Sequence, residues 1–215
     1  MKMLSDKGCL WSWFFHYVPV GDSPDVSLVP NAKQRQQILK AVYNARNTLP
    51  MMTVDFWGDG PEMMGCIAGG RQYVHVEPCT FVHLATHNVK NCTLTEALAA
   101  PFMKAIRDGI PYEDGNMLRP CMIVDRPDVL RKYYQEFKPY ETHENAAAYL
   151  TDPKITSEID KYSEEVKQIL DEDWRNNLWM TIFPLEGEYY VDRDNFCSRV
   201  KPEHKCSGHC AGCGK

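Results

Sequence analysis

Apolar positions fall into blocks along this chain, and each block has its own period. MKMLSDKG reads as the last turns of a helix closed by Gly8, since glycine best tolerates the left-handed geometry that follows a helix end. CLWSWFFHYVPV comes next, an aromatic and β-branched run that predicts a strand covered on both faces. From Asn31 to Thr48 the chain is polar, with Ile38, Leu39, Val42 and Tyr43 on one side, so an amphipathic helix is predicted, ended by Pro50. MMTVDFW then supplies a second buried strand. Strand, helix, strand is the order of a parallel sheet, and the fold class expected is α/β.

Beyond Gly58 the pattern shortens. RQYVHV and TFVHLA predict two strands of a tight hairpin separated by little more than EPC. Thr93 and Glu96 form a capping box for the helix LTEALAA, Pro101 opens a further helix that Gly109 ends, and NMLRPCMIVDRP is loop with a buried centre. Pro127 starts DVLRKYYQEF. From Thr156 the chain is helical again, with Ile159, Tyr162, Val166, Ile169 and Leu170 recurring on one face and Trp174 and Leu178 extending it. That stripe is read as a packing face. After Pro184 the chain is polar and irregular. Four segments follow from these changes: 1–62, 63–140, 141–183 and 184–215.

Composition narrows the function classes. A chain of 215 residues can bury a sizeable core, and its net charge of −5 argues against a nucleic-acid or anionic-membrane partner. No apolar run approaches the roughly 20 residues that cross a bilayer, and the first residues lack a signal-peptide cleavage pattern, so a cytoplasmic address is expected. Under reducing conditions nine cysteines point to metal or redox chemistry rather than to disulfides. Cys9 and Cys92 have no evident partner in sequence and read as buried structural thiols.

Cys66, Cys79 and Cys121 each sit beside a strand or a proline, in GCIAGG, EPC and RPC. Thiolates are soft, charged donors suited to iron or zinc, nearby glycines let backbone amides approach, and Pro78 and Pro120 stiffen the approach to the second and third. Spacing alone leaves a metal site and three buried thiols equally open. In the tail Cys206, Cys210 and Cys213 have CxxxCxxC spacing. With Cys197, His204 or His209 as a fourth donor they fit a small knuckle for zinc or a second cluster, the alternative being a thiol-rich tail without metal. His16 lies in the first strand, as a hydrogen-bonded core residue or a cavity-facing one. Asp55 and Asp59 flank FWG at the end of the second strand, where α/β active sites collect and where turn-forming carboxylates are equally common. Arg71 is expected to pair with a surface carboxylate, the alternative being a donor to a cluster sulfur, and His75 and His83 to be structural.

FFHYVPVG, DFWGDGP, GCIAGGR, EPC.FVH, EALAAPFMKAIR and LRPCMI resemble, in that order, the C-terminal part of radical SAM proteins: the end of the partial barrel running into an abbreviated SPASM- or Twitch-like extension. The similarity covers about residues 1 to 140 and is most specific from Gly65 to Cys121. It implies a remnant of a partial (β/α) barrel over 1–62 and a cluster-binding extension over 63–140, in which Cys66, Cys79 and Cys121 hold an auxiliary [4Fe-4S] cluster. Cys92, a histidine, the substrate or a tail cysteine is the fourth ligand. His16 and Asp55 become candidates for contacting S-adenosyl-L-methionine or substrate. In the family a CxxxCxxC loop near the barrel's start binds the cluster that cleaves S-adenosylmethionine to a radical. No such loop precedes these strands, and the hairpin lacks the glycine turn usual before the second cysteine. The resemblance therefore implies a truncated product or half of a split enzyme, inactive alone and completed by a chain carrying the front of the barrel, with a peptide or small-molecule substrate. The other expectation is a non-catalytic zinc-binding scaffold.

Overall fold

A computed structural model describes residues 1–176 except 22, 69, 70, 73, 75–83, 86, 88, 89, 111 and 143. Contacts divide the chain into two units, Met1–Pro184 and Leu185–Lys215, and the second lies outside the described residues. The three segments expected before residue 184 all fall within the first unit.

Helix α1 (Lys2–Asp6) leads into strand β1 (Trp11–Phe14). A 3-10 turn at Val26–Leu28 precedes helix α2 (Ala32–Thr48), and strand β2 (Met52–Asp55) follows. β1 and β2 pair in parallel, Trp11 against Met52 through Phe14 against Asp55, with α2 as the crossover. α2 starts where Asn31 and Gln34 cap each other reciprocally, and it ends at Leu49, held extended before Pro50. Its buried face is Ala32, Arg35, Leu39, Val42, Tyr43 and Ala45. Ile38, expected on that face, is only half-buried, and a charged residue takes the central place.

The chain continues through α3 (Gly60–Met63), β3 (Leu84–Ala85), the capping-box helix α4 (Leu94–Leu98) and α5 (Pro101–Asp108). Then come α6 (Pro127–Phe137), β4 (Tyr140–Glu141), α7 (Ala148–Thr151) and the long α8 (Pro153–Arg175). The capping box at Thr93, the proline starts of α5 and α6 and the apolar stripe of α8 agree with the sequence. The hairpin expectation falls largely on residues outside the described ones. Of its described residues, Arg71, Gln72 and Val74 lie in no strand, and Leu84–Ala85 pairs antiparallel with Tyr140–Glu141, a register that no local pattern announces.

Two core clusters hold these elements. One gathers Val29, Leu39, Tyr43, Trp57, Leu118 and Val124 against Tyr162, Val166 and Leu170 of α8. The other joins Tyr112, Met122, Leu130, Tyr149 and Leu150 to Ile159. Burying each large aliphatic side chain contributes about 1.5–3 kcal/mol, so α8 clamps α2 to the 116–126 loop through its apolar stripe.

The first strand departs from expectation. β1 is short, and its outward residues are in solvent: Trp11 is 59% exposed, Trp13 46% and Phe15 66%. They interlock as a ridge, Trp11 on Trp13 at 5.1 Å, with Phe56 stacked on Phe15 at 4.4 Å. Mutual contact among tilted rings replaces the second covering layer that the unbroken aromatic run predicts. The molecule is thus mixed α/β with a small parallel sheet. Among the described residues no helix is long and apolar enough to cross a membrane.

Candidate functional site

The parallel pairing brings the ends of β1 and β2 side by side, and two of the sequence-predicted residues meet there. His16 Nε2 lies 2.7 Å from Asp55 Oδ1, with both side chains buried. The ring stacks on Trp57 at 4.8 Å between centroids and 15° between planes. Arg35 lies over the Trp57 ring, 4.5 Å from its centroid. His16, Arg35, Asp55 and Trp57 border a cavity closed by Leu39 and Leu170, with room for about one water-sized group.

Asp55 is held by its own turn. Its Oδ1 accepts the Trp57 amide at 3.1 Å, while its backbone N–H donates to Asp59 Oδ2 at 2.9 Å and the Asp59 N–H returns to the Asp55 carbonyl. Burial by itself would raise the Asp55 carboxyl. The hydrogen bond and charge of His16 and the amides of Gly58 and Trp57 outweigh it, so the group ends below its ordinary value. Gly58 is required for that approach: a Cβ there would sit 2.5 Å from Asp55 Oδ2.

Asp59 serves the turn rather than a ligand, and it shares Arg46 with Glu62. Arg46 Nη2 donates to Asp59 at 2.5 Å and Nη1 to Glu62 at 2.7 Å. Burial first, then the charge of Asp59, pushes the Glu62 carboxyl up to about 8. A raised carboxyl favours the folded state while protonated. Its contribution is full below the unfolded value of 4.5 and is lost as pH rises through 8. Glu62→Gln keeps an acceptor for Arg46 and abolishes the titration. With the Glu62 side chain 29% exposed, solvent screening keeps the effect to about 1–2 kcal/mol. Urea midpoints should therefore show the variant equal to the wild type near pH 5 and more stable at pH 9. Parallel pH profiles would refute this linkage.

The second acidic turn repeats the first. Cys121 N–H donates to Asp125 Oδ2 at 2.9 Å and Asp125 N–H to the Cys121 carbonyl at 2.8 Å, the same pairing of residue i with an aspartate at i+4. Asp125 also takes both terminal nitrogens of Arg35, the second at 2.9 Å, and neither partner is exposed. Arg35 donates to the Leu118 carbonyl as well, so one guanidinium ties α2 to the loop carrying Cys121. Behind it Arg126 grips Asp114 at 2.5 and 2.6 Å, and Arg119 grips Asp171 of α8 at 2.9 Å.

Cys66 and Cys121, far apart in sequence, come within electrostatic reach of each other. Burial, then the charges of Asp125 and Cys66, pushes the Cys121 thiol up to about 12. Burial also raises Cys66, against the Ala68 amide and the Arg71 charge. The Tyr112 hydroxyl, donated to the Pro120 carbonyl at 3.0 Å, is raised chiefly by burial and then by both sulfurs. Without a cation these two thiols hold their protons at neutral pH, and a bound metal would displace them. Among the described residues Arg71 pairs with no carboxylate. It donates to the carbonyls of Cys66, at 2.8 Å, and Met63, fastening the loop that bears the first thiol.

Cys79, His75 and His83 lie outside the described residues, as do the tail candidates Cys197, His204, Cys206, His209, Cys210 and Cys213. Among the described residues no three His, Cys, Asp or Glu side chains converge as a metal site. Cys9 and Cys92, expected as buried structural thiols, are only half-buried. Sequence reasoning missed Arg35, Trp57 and Asp125. A charged residue inside the apolar stripe of α2 was the available signal for Arg35, and an aspartate four residues after Cys121, as Asp59 follows Asp55, was the signal for Asp125. No family model, curated protein or solved structure matches the chain.

Proposed function

We propose that this chain is the C-terminal portion of a radical SAM iron–sulfur protein. In this reading the parallel strands ending in His16 and Asp55 are the close of a partial (β/α) barrel, and Cys66, Cys79 and Cys121 hold an auxiliary [4Fe-4S] cluster. What supports it is that the Cys66 and Cys121 thiols lie within electrostatic influence of each other, each on a loop fastened by part-buried hydrogen bonds. An auxiliary cluster supplies electron transfer or a binding site for substrate. The chain's own residues do the holding: Asp125 fixes the Cys121 amide, and Arg71 fixes the loop at Cys66. His16 and Asp55, at the strand ends, are placed to contact S-adenosylmethionine or substrate in the completed barrel. Activity on a peptide or small molecule requires the front of that barrel, and the portion described is inactive by itself.

Anaerobic reconstitution with iron and sulfide tests this. The protein should turn brown, with broad absorbance near about 400 nm, as thiolate-bound clusters do. Cys66→Ser and Cys121→Ser should each lower bound iron at least about tenfold, in line with loss of a first ligand. Full iron loading in both variants sinks the assignment of this pair. Colourless protein carrying stoichiometric zinc that depends on the same two residues supports instead a non-catalytic zinc-binding scaffold.

A further inference from the structure

We propose that His16 and Asp55 form a hydrogen-bond-accepting dyad that takes the hydroxyl of a small neutral ligand. This centre is distinct from the thiols and does not rest on the iron–sulfur reading. Its logic begins with which ring nitrogen carries the proton. Nε2 faces the Asp55 carboxylate at 2.7 Å, so the neutral imidazole keeps its proton there and Nδ1 bears the lone pair. Among the described residues Nδ1 has no hydrogen-bond partner, and the side chain keeps 5% of its surface exposed. Stacking on Trp57 holds the ring, and hence the direction of that lone pair, in place.

The neighbours then decide what can bind. Asp55 already accepts His16 and the amides of Trp57 and Gly58. Arg35, across the cavity, is engaged by Asp125 and the Leu118 carbonyl. With Arg35 and Asp125 neutralising each other, the remaining local charge is the Asp55 carboxylate, which disfavours anions. The cavity admits about one water-sized group, and its other walls are Gly58 and three leucines. A hydroxyl, with one hydrogen to give and little bulk, meets all of these conditions. The hydroxyl donates its O–H to the Nδ1 lone pair, and Asp55, holding Nε2–H, keeps that lone pair turned to receive it.

Three measurements on the full chain, kept free of iron, test the dyad. Long-range proton–nitrogen NMR on histidine-labelled protein should show neutral His16 as the Nε2–H tautomer, and the Nδ1–H tautomer overturns the proposal. Hydrogen exchange at the imidazole C2 position, read by mass spectrometry, should proceed at His16 within about tenfold of exposed His87. Exchange more than about a hundredfold slower marks a sealed structural ring and also overturns it. Crystals soaked in methanol should place an oxygen at hydrogen-bond distance from Nδ1, about 2.6–3.2 Å, and a cavity without one removes the ligand class. None of these readouts depends on cluster loading, so the dyad and the thiol site stand or fall separately.

Discussion

Asp125→Ala should lower folding stability by about 3–5 kcal/mol, the penalty for stranding a buried cation. Arg35 and Asp125 are both sealed, and Asp125 carries the Cys121 amide in addition to the guanidinium. Urea unfolding would show the loss as a fall in midpoint at unchanged slope. The double replacement Arg35→Met with Asp125→Leu should recover part of it, because no buried charge is then left unpaired, although the Cys121 amide and the Leu118 carbonyl lose their partners. A loss under about 1 kcal/mol for Asp125→Ala would mean that the pair is solvated, as surface ion pairs are. The same single variant should also loosen Cys121, since a hydrogen bond anchoring its backbone is gone.

Gly60→Ala should be nearly as damaging and more specific. A Cβ at position 60 would lie 1.9 Å from the Met117 carbonyl oxygen and 3.3 Å from the Pro120 ring. Backbone cannot yield as a flexible side chain does, so the two segments must separate, at a cost of about 3 kcal/mol or more. Gly60 opens α3, which leads to Cys66, while Met117 and Pro120 lead to Cys121. Separation there moves one thiol from the other. Reconstituted Gly60→Ala protein should therefore lose iron even at temperatures where its circular dichroism stays native. Normal loading would show that the thiols do not depend on this contact.

Local grammar accounted for most of the helices. Asn31 with Gln34 and Thr93 with Glu96 are short-range devices, and the prolines opening α5 and α6 act through their own missing donors. The meeting of His16 with Asp55 was legible in part, because strand–helix–strand order puts successive strand ends together. What a one-dimensional pattern does not carry is which side of a strand is covered. The letters of WSWFF read alike whether Trp11 and Trp13 face a core or solvent, and only the tertiary packing separates the two. Leu84 against Glu141 is likewise a register set by distant segments. Arg35 marks the opposite lesson: a cation among Ala32, Leu39 and Val42 breaks the apolar stripe and so asks for a buried counter-charge.

The clasp between α2 and the Cys121 loop joins positions 90 residues apart. A ribosome adding about 5–20 residues per second needs roughly 5–18 s to make the intervening chain. From about a third of the way through that interval Cys66 has been synthesised but lacks the Cys121 loop. Any inorganic cargo shared by the two sulfurs can consequently be held by both only after translation has passed Cys121.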